Sequence, residues 1–154
     1  MADAFDRYVP EMIETRRRIH KRPELGWTEF ETTAIVAKKL TELGFEIHLG
    51  REVVNPDAVL GRDPKAVEAA ITRAREAGVP EELLSRMDGY TGCVGILDTG
   101  RPGPTLAFRH DMDALPIQEL QDPAVHLPAK EGFASTFKGV MHACGHDAHT
   151  AVGL

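Results

Sequence analysis

The sequence predicts an α/β domain in which helices flank a mixed sheet. Three observations predict it. Apolar residues return at three- and four-residue steps in some segments, alternate at two-residue steps in others, and Gly, Pro and Asp mark the boundaries between them. With 154 residues and 42% hydrophobic content, the chain is long enough for one domain with a buried core. The strand order is not set by these patterns.

Phe5, Tyr8, Val9, Met12 and Ile13 share one stripe of an amphipathic helix running towards His20, and Pro23 ends it. Thr28 and Glu31 have the spacing of a capping box, and Ala34, Ala37 and Leu40 continue an apolar face to Gly44. These residues predict a second helix from about Glu29 to Leu43. Phe45–Leu49 then alternates like a half-buried strand. Asp63 and Pro64 supply a cap and a first-turn proline, Val67, Ala70, Ile71 and Ala74 form a stripe, and Gly78 closes that helix. Pro80 starts a shorter helix through about Met87. This helical segment, about 55–90, reads as an insertion packed on the outside of the domain, because strand-like sequence resumes at Cys93. Gly92–Leu97 and Thr105–Arg109 read as two strands of a hairpin around a Gly-Arg-Pro-Gly-Pro turn. No internal repeat or low-complexity tract is visible.

Eighteen Lys and Arg against 24 Asp and Glu give a net charge of -6, which opposes binding to nucleic acid. The cluster Arg16, Arg17, Arg18, Lys21 and Arg22 falls late in a helix, where positive charge complements the helix dipole. Met1–Asp6 is acidic and has no apolar core, and no later stretch can span a bilayer. A cytoplasmic protein with no membrane or nucleic-acid partner is expected. Two cysteines, Cys93 and Cys144, argue against a disulfide framework and for a reduced compartment. Cys93 reads as core.

The chemistry concentrates in two places. Asp111 and Asp113 follow the end of a strand, where ligand sites of open α/β sheets gather. Spaced by one residue in an extended segment, they face the same side, which suits metal ligation, hydrogen bonding to a metal-bound histidine, or simply a solvated acidic turn. The second place is MHACGHDAHT, residues 141–150. If its first half is extended, His142, Cys144 and His146 share a side, and Gly145 lets the backbone bend before a helix beginning near Asp147. A thiolate with neutral imidazoles suits zinc and similar ions. The alternatives are a histidine-rich turn with a buried cysteine and a cysteine nucleophile, although several bases crowd Cys144 without one being selected.

Three segments, RRRIHKRPELGWTEFETTAIVAKKLTELGF, LAFRHDMDALPIQE and GVMHACGHDAHTAVGL, together resemble the amidohydrolase branch of the M20 metallopeptidase family. Within it, GREVVN, TGRPGPTLAFR and EGFAS are similar to members that cleave p-aminobenzoyl-glutamate. The resemblance implies a zinc-peptidase-like catalytic domain, incomplete at its C-terminus, whose lid or dimerisation domain is absent from residues 1–154. It also implies two divalent ions, zinc or manganese, with Cys144 and His146 as metal ligands. Asp111 and Asp113 are implied to stand behind the ligands, Asp147 and His149 to belong to the motif without ligating, and His20 and Glu24 to support the floor of the site.

The family's chemistry is water addition to an amide carbonyl, aided by a cation that brings the pKa of bound water to about 7. The resemblance places the glutamate that moves the protons beyond Leu154, so no catalytic residue is expected within this chain, and the chain alone is expected to bind metal weakly and hydrolyse nothing. For the full-length parent the expected substrate is p-aminobenzoyl-glutamate, split to p-aminobenzoate and glutamate, with hippurate or another N-acyl amino acid as the alternative. The expected partner is a related subunit or a second copy of the protein. From another class comes the reading of a truncated, non-catalytic metal-binding or assembly module.

Overall fold

The computed structural model describes residues 6–154, so Phe5 of the first predicted stripe and the acidic start of the chain lie outside the described residues. In chain order the elements are α1 (Val9–Lys21), α2 (Phe30–Glu42), β1 (Glu46–Leu49), α3 (Pro64–Glu76), α4 (Glu81–Met87), β2 (Cys93–Ile96), α5 (Leu127–Lys130) and α6 (His146–Gly153). They fall into two compact units. One comprises the residues up to Leu25 with His110–Leu154, and the other comprises Gly26–Arg109.

In the Gly26–Arg109 unit, β1 and β2 pair antiparallel, with Glu46 opposite Ile96 and Leu49 opposite Cys93. The core is built from Phe30, Ala34 and Ala37 of α2, Leu49 of β1, Val67, Ala70 and Ala74 of α3, and Leu84 and Met87 of α4. The segment expected on the outside thus supplies much of this unit's core. Its local signals hold: the Asp63 side chain accepts from the Lys65 N–H, and Pro64 opens α3. Gly50 stands at φ 56°, and a Cβ there would come within 2.6 Å of the Arg86 and Met87 carbonyl oxygens, so the end of α4 closes directly on its backbone.

Thr28 stands one residue before Glu29, the N-cap of α2, whose own side chain makes no capping bond. Trp27 takes φ 67°, the Phe30 N–H bonds back to the Thr28 carbonyl at 2.9 Å, and the Glu29 carboxylate accepts from the Thr91 hydroxyl. The expected hairpin is absent: β2 pairs with β1, and 105–109 forms no strand, with Leu106 and Phe108 exposed at 72% and 82%. An alternating segment becomes a strand only when a neighbour supplies the other half of its hydrogen-bond ladder.

In the other unit the HKRPEL, DMDALP and HACGHD parts of the three quoted segments come together. A parallel bridge joins Leu25 to Ala114, and an antiparallel bridge joins Leu115 to Met141. The Ala114 N–H donates to the Glu24 carbonyl at 2.7 Å, and Leu115 and Met141 exchange backbone bonds of 2.9 and 3.1 Å. Beside this stitching α1 packs against α6, held by side chains of both helices. Three members of the basic cluster are tied to side chains: Arg16 pairs with Asp147, Arg17 pairs with Glu131 and lies over Phe133, and Arg22 lies over Phe137.

Candidate metal centre

The backbone leaving Met141 turns at once. The Ala143 N–H bonds to the Met141 carbonyl at 3.0 Å, and Gly145 takes φ 90° as the N-cap of α6, a conformation glycine adopts without steric cost. The bend expected at Gly145 is therefore present, and α6 begins at His146. The extended arrangement that would set His142, Cys144 and His146 on one side is not. His142 is buried, Cys144 exposed and His146 half-buried, because the turn at Ala143 breaks the two-residue alternation before the helix starts.

On α6, residues three apart share a face, and the rings of His146 and His149 stack with centroids 5.3 Å apart. Asp111 meets them there: one ligand atom each from Asp111, His146 and His149 lies within 4.8 Å of the others. The Thr150 hydroxyl anchors this corner, donating to the His146 carbonyl at 2.8 Å and lying 3.3 Å from the Asp111 carbonyl. The His110 ring packs on α6 so closely that a Cβ at Gly153 would sit 2.7 Å from it.

Asp113 fixes the state of His146. Its backbone carbonyl lies 3.0 Å and its carboxylate Oδ1 2.9 Å from His146 Nδ1. A carbonyl oxygen only accepts, so Nδ1 carries the proton and, in the neutral ring, Nε2 keeps the lone pair a cation needs. A carboxylate and two imidazoles form a donor set that suits zinc and other divalent ions of similar preference. The structure thus brings together His146, expected as a ligand, Asp111, expected behind one, and His149, expected outside the ligand set. Cys144 is not a member of this group. An open cavity of about 620 Å³ in the same unit is lined by Lys21, Gln118, Gln121 and Lys138 among others, and no residue of the group lines it.

Behind the group lies a buried ionic network. His20 Nδ1 stands 2.8 Å from Asp147 Oδ2 and its Nε2 2.8 Å from Glu119 Oε1. Arg16 Nε donates to the same Asp147 oxygen at 2.8 Å, while Glu119 also meets His126 Nε2 at 2.8 Å and accepts from the Ser135 N–H. Burial alone would push His20 down, but the bonds to Asp147 and Glu119 and their charges hold it above its ordinary value. Burial likewise opposes ionised Asp147 and Glu119, yet His20 and Arg16 hold the first, and His126, His20 and the Ser135 N–H hold the second, below the usual carboxylate range. His142, its ring 6.2 Å from that of His20, is pushed down by burial to about 4 and stays neutral. Neither of its ring nitrogens has a hydrogen-bond partner among the described residues. Cys93, expected in the core, is half-buried beside it, and burial pushes its thiol up to about 11.

Sequence reasoning assigns no role to Glu119 and gives Arg16 only a place in the basic cluster that complements the helix dipole. A lone Glu among Leu115, Ile117 and Leu120 is the available signal, since a carboxylate amid apolar neighbours is buried only when paired.

Residues 107–154 match the model for peptidase family M20/M25/M40. Over 94–95% of this chain, 46% of residues are identical to a homolog of a p-aminobenzoyl-glutamate hydrolase subunit in Haemophilus influenzae, 52% to an indole-3-acetyl-aspartic acid hydrolase of Enterobacter agglomerans and 48% to a p-aminobenzoyl-glutamate hydrolase subunit of Escherichia coli. The chain spans about a third, 34%, of the length of each. Among solved structures, an aminobenzoyl-glutamate utilization protein from Klebsiella pneumoniae matches with TM-score 0.70 and 46% identity, over 74% of this chain and 29% of that one. A Bacillus subtilis dinuclear metal binding peptidase from the M20 family matches with TM-score 0.59 and 32% identity, over 95% of this chain and 28% of that one. The motifs HxxPEL, DMDALP and HACGHDAHT, the folding of the segments that carry them and these likenesses agree: residues 107–154 are a segment of peptidase family M20/M25/M40.

Proposed function

We propose that the protein carrying this chain hydrolyses the amide bond of an N-acyl amino acid, p-aminobenzoyl-glutamate above all, using two divalent ions, zinc or manganese. The observation that carries this reading is the convergence of Asp111, His146 and His149 within 4.8 Å, with His146 Nδ1 held by Asp113, in a chain 46–52% identical to hydrolases of acyl amino acids. The likeness to a dinuclear metal binding peptidase supports two ions.

His146 and Cys144 act as ligands in this reading. Asp113 fixes the His146 tautomer and ring plane, and Asp111 and His149 add donors on the same side. A bound divalent ion supplies carbonyl polarisation and acidification of water. Glu119 is not the proton-transfer group, because its carboxylate is occupied by His20, His126 and the Ser135 N–H. That group is a glutamate outside residues 1–154, and residues 1–154 are the N-terminal part of the catalytic domain, with the helices of about 55–90 inserted and the lid elsewhere in the protein. Two of the relatives are named as one subunit of their hydrolase or its homolog, which supports pairing with a related subunit or with a second copy. The finding that no helix among the described residues is long and apolar enough to cross a membrane is in keeping with a cytoplasmic protein.

A second substrate, indole-3-acetyl-aspartate, is favoured by the 52% identity to a hydrolase of that compound. The test loads the full-length protein with zinc or manganese and measures amino-acid release from p-aminobenzoyl-glutamate, indole-3-acetyl-aspartate and hippurate. Glutamate release that is fastest of the three and abolished in His146→Ala is expected. Faster aspartate release transfers the assignment to the second substrate, and no release from any of them overturns the reading.

A further inference from the structure

Asp147 follows His146 on the first turn of α6 and points the other way. Successive helical residues are rotated by about 100°, so His146 and His149 face Asp111 while Asp147 faces α1. There its Oδ2 is gripped twice, by His20 Nδ1 and by Arg16 Nε, each at 2.8 Å. His20 is itself held from the far side by Glu119, which ties in His126 and the Ser135 backbone. Both His20 nitrogens face carboxylate oxygens, so both donate and the ring is an imidazolium. A cation gripped between two carboxylates cannot rotate without stranding one of them in the interior, where an unpaired charge is costly. The grip on Asp147 therefore sets the rotation of α6 about its own axis, and that rotation sets how His146 and His149 approach Asp111.

We propose that His20 is a positioning residue: by holding Asp147 it fixes the rotation of α6 and so pre-assembles the Asp111, His146 and His149 donor group. This rests on the reading of that group as a metal site. It assigns a role in metal binding to a buried histidine that is not itself a ligand, and it predicts that the Asp147 side of the ring carries that role while the Glu119 side does not.

The two sides can be separated. In His20→Asn the side-chain amide nitrogen takes the place of Nδ1 and keeps the Asp147 bond, and in His20→Gln it takes the place of Nε2 and keeps the Glu119 bond. Zinc affinity of the chain is measured by titration calorimetry for wild type, His146→Ala, His20→Asn and His20→Gln, with helix content followed by circular dichroism. The expected result is loss of binding in His146→Ala, near wild-type affinity in His20→Asn, and weakening by about tenfold or more in His20→Gln, the range typical of groups that orient a ligand. Equal affinities in the Asn and Gln variants overturn the proposal, since a merely structural histidine would be served or harmed alike by both. If His20→Gln loses its helical signal, Arg16→Leu decides, because it removes the half-exposed partner of the same oxygen: weaker binding supports the clamp and unchanged binding overturns it. Wild-type chain that binds no zinc, or His146→Ala that still binds it, overturns the reading of the metal site and this inference with it.

Discussion

Bound by Asp147 at one ring nitrogen and Glu119 at the other, His20 makes the stability of the metal-free chain depend on pH in a definite sense. Its folded value stands above the ordinary 6.5, so the stability it contributes is complete below pH 6.5 and is lost as pH rises through that raised value. Asp147 and Glu119 are held below 3.8 and 4.5 respectively, so their contribution is complete above those values and is lost as pH falls through the lowered ones. The groups facing His20 are these two carboxylates, Arg16 and His126 beyond them, and neutral His142. The urea midpoint of the metal-free chain should therefore decline as pH rises from 6.5 through the raised His20 value, and His20→Asn should flatten that decline. A wild-type midpoint that holds steady over this range would contradict the assignment. At this scale the sequence is legible where a residue acts on its near neighbours in a motif, as with Gly145 before α6. Asp147 reads only as a member of its motif, because its partners Arg16 and His20 come from the far end of the chain. His149 joins His146 through the three-residue spacing of α6, whereas Asp111 comes from a distant segment and no side-chain pattern announces that it meets them.

The helices of the Gly26–Arg109 unit are legible because a three- and four-residue apolar period and local caps specify them within a few residues of sequence. Strand pairing is not, since β2 has candidate partners both before and after it, and the ladder forms with β1 across the α3 and α4 segment. That segment is core: Met87 is fully buried and belongs to one cluster with Phe30, Leu49 and Val67. Met87→Ala should cost about 3 kcal/mol in urea unfolding, within the range for emptying a buried methionine site. Leu106→Ala, at a position 72% exposed, should stay within about 0.5 kcal/mol of wild type. Equal losses at the two positions would show that 105–109 is packed after all. In the other unit, HxxPEL, DMDALP and HACGHD are joined by single bridges, too short for any alternating pattern to reveal. Their adjacency is visible only in three dimensions.

Taken as a whole, the molecule carries a net charge of -6, and two of the arginines of α1, Arg16 and Arg17, are engaged by Asp147, Glu131 and Phe133. Its chemistry rests on one corner, where α6 meets the DMDALP segment. The chain spans 34% of the length of these relatives, and the capacity of this corner to hold a cation is the claim on which the proposed hydrolysis depends. The most direct measurement is a crystal structure of the chain soaked in zinc, with anomalous scattering recorded across the zinc edge. A peak about 2.0–2.1 Å from His146 Nε2, with Nδ1 still bonded to Asp113, is the predicted result. No peak at His146, or zinc bound through Nδ1 with Asp113 displaced, would contradict it.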